Sequence, residues 1–322
     1  MLQIQELEEI IKSGEDSGHQ FKQNFTNATQ LAAEIVAFSN GNDGKILIGV
    51  KDDGEISGLN KNDISRLNQL ISNVLSFAQS SAIIHADKTL IEDTGEKDID
   101  KLYFNDFFTE QYGNSPGDLG ISFAKLLENI YLSKNGKLNL AGVLLFSKQP
   151  QMILPSFIIK AVAFAGTDIT DTNYLDSRDI SGKLEGVFNN TISFLVNNTK
   201  TFQGEQSVNS IGIPEIPRVV FEELIANALI HRDYFINAPI RVLVFNNRIE
   251  IISPGHLPNN LTVENILYGN SNIRNPIIAS FAAKILPYRG LGSGILRSVK
   301  AYPKIEFKDD RNGNLFVATV WR

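Results

Sequence analysis

Two polar residues four positions apart give this sequence its first candidate chemistry. Glu223 and Asn227 lie in a segment whose apolar residues recur at helical spacing, so both side chains fall on one face of a helix, and His231 extends that face by one turn. A carboxylate there can orient a water molecule, and an amide oxygen can complete the oxygen shell of Mg²⁺. The pair is therefore a candidate for water activation and magnesium binding.

A glycine run follows downstream. Gly290, Gly292 and Gly294 directly precede a predicted helix, and their backbone N–H groups can approach phosphate oxygens closely because no side chains intervene. Ser253-Pro254-Gly255 lies between the two features, at the end of a predicted strand. Each signal alone is common, since glycine runs usually make tight turns and helical Glu and Asn usually face solvent. Their order and spacing together are more specific.

In this order the features resemble the GHKL ATPase fold shared by gyrase, MutL and histidine kinases. The resemblance implies that Glu223 is the general base, that Asn227 holds Mg²⁺, and that Gly290–Gly294 receives the phosphates of ATP. It places Ser253 and Gly255 where the family reads adenine with an Asp-x-Gly motif. A hydroxyl accepts a hydrogen bond more weakly than a carboxylate, so Ser253 leaves adenine selectivity open.

A divergent branch of that fold is a closer match. It carries sequences similar to Asn227–Tyr234 (NALIHRDY), Ile251–Pro258 and Arg274–Pro276, and its members are described as ATP-binding transcriptional regulators or RecG-like helicases. A helicase is excluded here because the chain has no G-x-x-x-x-G-K-[ST] phosphate loop. Arg274 is the predicted phosphate-facing cation. Two interpretations stay open: nucleotide binding with or without weak ATPase activity, and a degenerate structural copy.

An ordered set of polar and glycine positions marks the N-terminal 77 residues: Glu15, His19–Lys22, Ala37–Asn40, Gly44, Leu47–Val50, Asp52–Gly54 and Gly58. This set resembles the Alba-like module of Schlafen proteins and of many bacterial regulators. Members of that group are taken to bind nucleic acid, so the resemblance implies DNA as a partner. Lys22, Lys45 and Lys51 then form a small phosphate-contacting patch, unless they are ordinary solvated lysines.

Schlafen-type members cut RNA with a triad of acidic residues. The matching positions here are Glu15, Gln20 and either Asp52 or Asp53. Gln20 breaks the triad, because an amide cannot bring the negative charge with which such a site holds its metal ion. A metal-dependent RNase is therefore the least favoured function, and the two aspartates are more typical of a hairpin turn.

Charge and composition restrict the partners. Residues 1–60 hold four lysines, no arginine and ten carboxylates, whereas residues 218–322 hold thirteen Lys and Arg against eight Asp and Glu. A polyanion such as DNA would be attracted to the second segment and repelled by the first.

The chain has no cysteine, which excludes disulfides and thiolate sites. With no long apolar run and no basic leader at its start, we expect a cytoplasmic protein without a membrane partner.

The elements that must position these residues alternate between helices and strands, which predicts a multidomain α/β (α+β) protein. We expect three regions: an Alba-like α/β module at 1–112 that is truncated near 78–81, a middle α/β region at 113–205, and a GHKL-like α/β sandwich at 206–322. Apolar runs predict strands at Ala141–Ser147 and Phe157–Phe164, whereas Thr199–Gly212 has the composition of a linker. The clearest patterns are a helix at Arg218–His231 and a hairpin that turns at Asn246-Asn247.

These observations favour a bacterial DNA-binding transcriptional regulator, acting as a homodimer, whose ATP-binding state alters how it binds DNA. The alternative is a non-catalytic oligomeric assembly protein in which both ancestral sites have decayed. The sequence leaves this choice open.

Overall fold

The computed structural model describes residues 4–16, 19–25, 31, 45–68, 70–71, 85–204, 207, 209, 212–258 and 261–322. The chain divides into two units, Met1–Ile83 and Ile84–Arg322. The expected truncation near 78–81 lies outside the described residues, as do Ala37–Asn40 and Gly44 of the N-terminal pattern.

The N-terminal unit is built on a parallel strand pair. Its elements are α1 (Ile4–Ser13), β1 (His19–Lys22), β2 (Lys45–Ile48) and the helical residues 61–68. Strands β1 and β2 are parallel, with Phe21 opposite Leu47. Phe21 is fully buried and packs with Leu47, Val50 and Ile10 of α1. After the turn, Ile56 makes an antiparallel bridge with Val50, as the hairpin prediction required.

The second unit combines helices with strands throughout. In chain order its helices and strands are α2 (Lys101–Tyr112), α3 (Phe123–Asn129), β3 (Ser133–Lys134), β4 (Lys137–Leu138), α4 (Leu140–Phe146), α5 (Pro150–Ile153), β5 (Ile159–Phe164), β6 (Tyr174–Ile180), α6 (Leu184–Asn197), β7 (Thr201–Phe202), β8 (Ile213–Pro214), α7 (Arg218–His231), β9 (Ile240–Val244), β10 (Arg248–Pro254), α8 (Val263–Leu267), α9 (Pro276–Ile285), α10 (Gly294–Ala301), β11 (Ile305–Asp310) and β12 (Leu315–Trp321). Short 3₁₀ turns lie at Ala86–Lys88, Glu96–Asp98 and Pro116–Leu119.

One six-stranded sheet organises this unit. The spatial order is β11-β12-β10-β9-β5-β6, in which β5 and β9 are parallel and the other neighbours are antiparallel. Two strands of the expected middle region, β5 and β6, therefore continue the sheet of the expected C-terminal region. The boundaries at 112/113 and 205/206 stay a prediction. The mixed helix-and-sheet architecture confirms the α/β class.

Helix α7 lies deep in the unit. Val220, Phe221 and Ile225 are almost completely buried, and the helix packs against α6 and α10. The hairpin of β9 and β10 turns at Asn246-Asn247 as predicted. These contacts fix the polar face of α7 relative to the end of β10 and the start of α10.

The strand prediction for Ala141–Ser147 is wrong, because this run forms helix α4. Every residue of α4 is buried, and a fully buried apolar run has no polar alternation that could separate a helix from a strand. Asn139 begins the helix by accepting a hydrogen bond from the Gly142 amide at 2.8 Å. The linker prediction also missed a short strand, because β7 pairs with β8.

Within the described residues, no helix combines the length and apolar character that crossing a membrane requires.

Candidate functional site

One cleft in the second unit gathers most of the predicted site residues. Its lining includes Glu223, Asn227 and His231 from α7, Ser253 and Gly255 from the end of β10, and Gly290, Gly292 and Gly294 from the loop that leads into α10. The centres of water molecules could occupy about 110 Å³ of this cleft, several times the roughly 10–15 Å³ that one water needs. The cleft is therefore an open space with room for several water molecules, and bulky side chains do not fill it.

Helix α7 turns its polar face to the cleft because its other faces are packed. Phe221 and Ile225 are buried in the core, which leaves the polar residues four positions apart on the remaining face. The Ser253 hydroxyl donates to the Ala228 carbonyl at 3.4 Å. Strand β10 is thus tied to the same helix, and the Ser253 donor is used within the protein.

The glycine loop approaches α7 closely. Gly292 has a φ of +70°, where a side chain is disfavoured, and a Cβ there would overlap the Gly269 carbonyl. A Cβ at Gly294 would overlap the Glu223 carboxylate and lie 3.5 Å from Nδ2 of Asn227. The start of α10 therefore meets the predicted base and the predicted magnesium ligand with no room for a side chain between them.

The predicted base has an arginine partner. Oε1 of Glu223 lies 2.5 Å from a terminal nitrogen of Arg297 on α10, and Glu223 is only 5% exposed. Burial raises the pKa of Glu223, while the charges of Arg297 and Arg289 oppose that rise. Both arginines line the cleft. Sequence reasoning missed them, although Arg297 lies three residues after Gly294 and so one turn into the predicted helix.

His231 ends the polar stripe as an uncharged group. Its Nε2 lies 3.3 Å from the Tyr288 hydroxyl. Burial, together with the charge of Arg274, lowers the pKa of His231 to about 4. Burial also raises the pKa of Tyr288, as does the charge of Glu223. At neutral pH both side chains can exchange hydrogen bonds with a ligand, but neither can neutralise a phosphate.

Arg274 is not among the described residues that line the cleft. One of its terminal nitrogens donates to the His256 carbonyl at 2.7 Å, and the other lies 3.7 Å from the Asp233 carboxylate. A Cβ at Gly255 would overlap that second nitrogen. Arg274 thus braces the turn after β10, and its contact with phosphate stays a prediction.

The lining suits a ligand that has both phosphates and an apolar ring. Arg289, Arg297 and the glycine loop offer cationic and N–H donors, and the apolar wall includes Leu257, Ile266, Phe307 and Phe316. No group of three or more His, Asp or Glu side chains that could hold a metal ion occurs within the described residues. Mg²⁺ would therefore need the Asn227 oxygen together with phosphate oxygens and water, a donor set that magnesium accepts.

The predicted nucleic-acid lysines of the N-terminal unit have carboxylate neighbours. Lys45 lies 3.2 Å from Glu6, and Lys51 is paired with Glu55. Lys22 is half-buried on β1. The charges of Lys45 and Lys51 are thus partly neutralised within the unit.

Two positions of the expected acid triad, Glu15 and Asp53, accept hydrogen bonds from nearby backbone amides. Glu15 accepts a hydrogen bond from the Phe21 amide at 2.6 Å, and Asp53 accepts from the Glu55 amide in the turn. Oε1 of Gln20 is buried, and it has no hydrogen-bond partner in the described part of the chain. The hydrogen bond of Asp53 supports a hairpin turn at this position, which is the interpretation that the sequence favoured over a metal site.

Two family models match the chain. Residues 15–111 match the family described as "Schlafen, AlbA_2", and residues 237–314 match the HATPase_c_4 family, described as "Putative ATP-dependent DNA helicase recG C-terminal". The second match begins after α7. It therefore includes Ser253, Gly255 and Gly290–Gly294 but not Glu223 or Asn227.

A solved structure shares the fold. The crystal structure of the DIP2311 protein from Corynebacterium diphtheriae has a TM-score of 0.52 at 18% sequence identity, over 99% of this chain and 80% of that one. No curated protein matches the chain. The family matches confirm the combination that the sequence predicted: a Schlafen AlbA_2 region early in the chain, followed by a HATPase-like region of the RecG C-terminal type.

Proposed function

We propose that this protein is a cytoplasmic bacterial transcriptional regulator that binds DNA through its AlbA-like region and ATP with Mg²⁺ through the cleft of its second unit. It acts as a homodimer, and its nucleotide state alters DNA binding. The observation that carries this proposal is the convergence of Glu223 and Asn227 with the glycine loop around one open cleft.

Each cleft residue has a role in this proposal. Gly290, Gly292 and Gly294 leave their backbone N–H groups open to phosphate oxygens. The Asn227 amide oxygen would hold Mg²⁺, and Glu223 would orient the water that hydrolyses the terminal phosphate. ATP supplies a phosphoanhydride bond. Slow hydrolysis of that bond would limit how long the ATP-bound state of the cleft lasts. Ser253 and Gly255 lie at the end of the cleft that would receive the adenine ring.

The electrostatics of the chain support weak DNA contact. The AlbA_2 match supports nucleic-acid binding, but ten carboxylates face four lysines in residues 1–60. Phosphate neutralisation supplies most non-specific affinity, so contact depends on a local lysine patch, on pairing of two copies, or on the basic residues of 218–322.

Calorimetric titration with ATP and Mg²⁺ tests the nucleotide role. We expect wild-type protein to bind with measurable heat and Asn227→Ala to lose about tenfold or more in affinity, because the metal-contacting oxygen is gone. Asn190→Ala is a matched control, since Asn190 is an exposed residue of α6 outside the cleft. Equal binding by wild type and Asn227→Ala, or no heat from either, removes the proposal.

The ion pair between Glu223 and Arg297 favours a second candidate. A catalytic carboxylate that is neutralised by an arginine is also expected in a site that has lost its activity. The protein would then serve only as an oligomeric assembly protein. Light scattering that finds a stable dimer, combined with no nucleotide heat, would support that function.

A further inference from the structure

The arginine that holds the predicted base has donors to spare. Arg297 uses a terminal nitrogen to contact Glu223, and its Nε is buried without a hydrogen-bond partner in the described part of the chain. About a third of its side chain is exposed to solvent (35%). A guanidinium has five N–H donors in a rigid fork, so Arg297 can contact a second anion.

That second anion has a defined place. Arg297 lies one turn beyond Gly294, whose Cα faces the Glu223 carboxylate, and α10 packs against α7. A phosphate bound by the glycine loop would therefore sit near the same end of α10. Arg289 lines the same cleft, which adds a second positive charge next to Gly290.

We propose that Arg297 binds the terminal phosphate of a nucleoside triphosphate and leaves the Glu223 carboxylate when it does so. The inference rests on the proposed function, because it requires a nucleotide in the cleft. Before binding, the ion pair holds base and cation together. After binding, Glu223 is free to accept a hydrogen bond from water. No covalent bond changes in this step, since one ion pair replaces another.

The exchange favours a triphosphate over a diphosphate. The proposed partner of Arg297 is the third phosphate, which a diphosphate lacks. This phosphate carries more negative charge than one carboxylate, and it offers three oxygens to the planar guanidinium. The departure of Arg297 also removes a charge that opposes the effect of burial on Glu223. The carboxylate then becomes more basic at the moment when a water molecule must be oriented.

The test is calorimetry with Mg²⁺ present, using ADP and a non-hydrolysable ATP analogue as ligands. Arg297→Gln should weaken binding of the analogue by about tenfold or more and change ADP affinity by less than about twofold. Glu223→Gln should have the opposite effect and tighten binding of the analogue by about threefold, because nothing then competes for Arg297. Arg218→Gln, which removes an exposed arginine paired with Glu222 on α7, should change neither affinity.

Opposite signs for the two cleft variants separate ligand contact from a structural role. If both variants weaken both ligands equally, the pair serves the fold and the inference is wrong. If wild type binds both ligands and Arg297→Gln alters neither, the inference is wrong while the proposed function stands. If wild type binds no nucleotide, both are wrong. Arg297→Lys keeps the charge without the fork and should give an intermediate affinity, so the test holds even if Arg297→Gln fails to fold.

Discussion

Helix α10 can approach α7 closely because residue 294 is a glycine and has no Cβ. A Cβ at this position would overlap the Glu223 carboxylate, a buried group that is paired with Arg297. Gly294→Ala should therefore weaken ATP binding by about tenfold or more and cost about 1–3 kcal/mol of stability. Calorimetry and urea unfolding followed by the fluorescence of Trp321, the single tryptophan, measure the two effects.

Gly186→Ala provides the matched control. Gly186 lies within α6, and a Cβ there meets no atom within 4 Å. Alanine should then stabilise the helix by about 0.5–1 kcal/mol and leave nucleotide binding unchanged. Equal ATP affinity in both alanine variants would contradict the close approach of α10 to Glu223.

His231 should make the second unit sensitive to acid. Its folded pKa of about 4 lies below the ordinary 6.5, so the unfolded chain binds more protons between these two values and stability falls as pH decreases through that window. From pH 7 to pH 5 the wild type should lose about 1–2 kcal/mol more than His231→Asn. Urea unfolding of both proteins at the two pH values gives this difference, and parallel losses would contradict a histidine that stays neutral in the folded protein.

Among the elements, α4 depends on one buried cap. Oδ1 of Asn139 accepts from the Gly142 amide at 2.8 Å, and its Nδ2 donates to the Tyr131 carbonyl at 2.7 Å. Asn139→Ala should cost about 2–4 kcal/mol, because it removes the cap and leaves buried groups unpaired. Ser122→Ala removes an exposed cap from α3 and should cost only about 0.5–1 kcal/mol. Urea unfolding measures the stability of both variants. Similar losses of stability would refute the idea that burial makes the Asn139 cap more important than the Ser122 cap.

The same elements show how far sequence reasoning reaches. Helix α7 has the predicted bounds Arg218–His231, because its polar stripe and the proline before it are local signals. The sequence pattern does not predict helix α2. Its packing face consists of Phe104, Phe107 and Phe108, and aromatic residues are also common in strands. The contact of Arg297 with Glu223 could not be predicted, since it depends on how α10 packs against α7.

At the scale of the whole molecule, the net charge of −6 sets the conditions for DNA contact. A surface that is acidic on average repels a polyanion, so binding rests on a few lysine–phosphate contacts and should weaken steeply with salt. Each contact contributes a slope of about −0.9 in log K against log salt concentration. The lysines that remain paired with carboxylates cannot contribute fully.

Releasing one of those lysines should strengthen DNA binding. Glu6→Gln frees Lys45 from its 3.2 Å ion pair and removes one negative charge from α1. Glu9→Gln removes the same charge from the same helix at an exposed position, so it serves as the control for net charge alone. Gel shifts across salt concentrations should give Glu6→Gln the higher affinity and a slope steeper by about one phosphate contact. Equal slopes for the two variants would place the DNA contacts of this protein elsewhere than at Lys45.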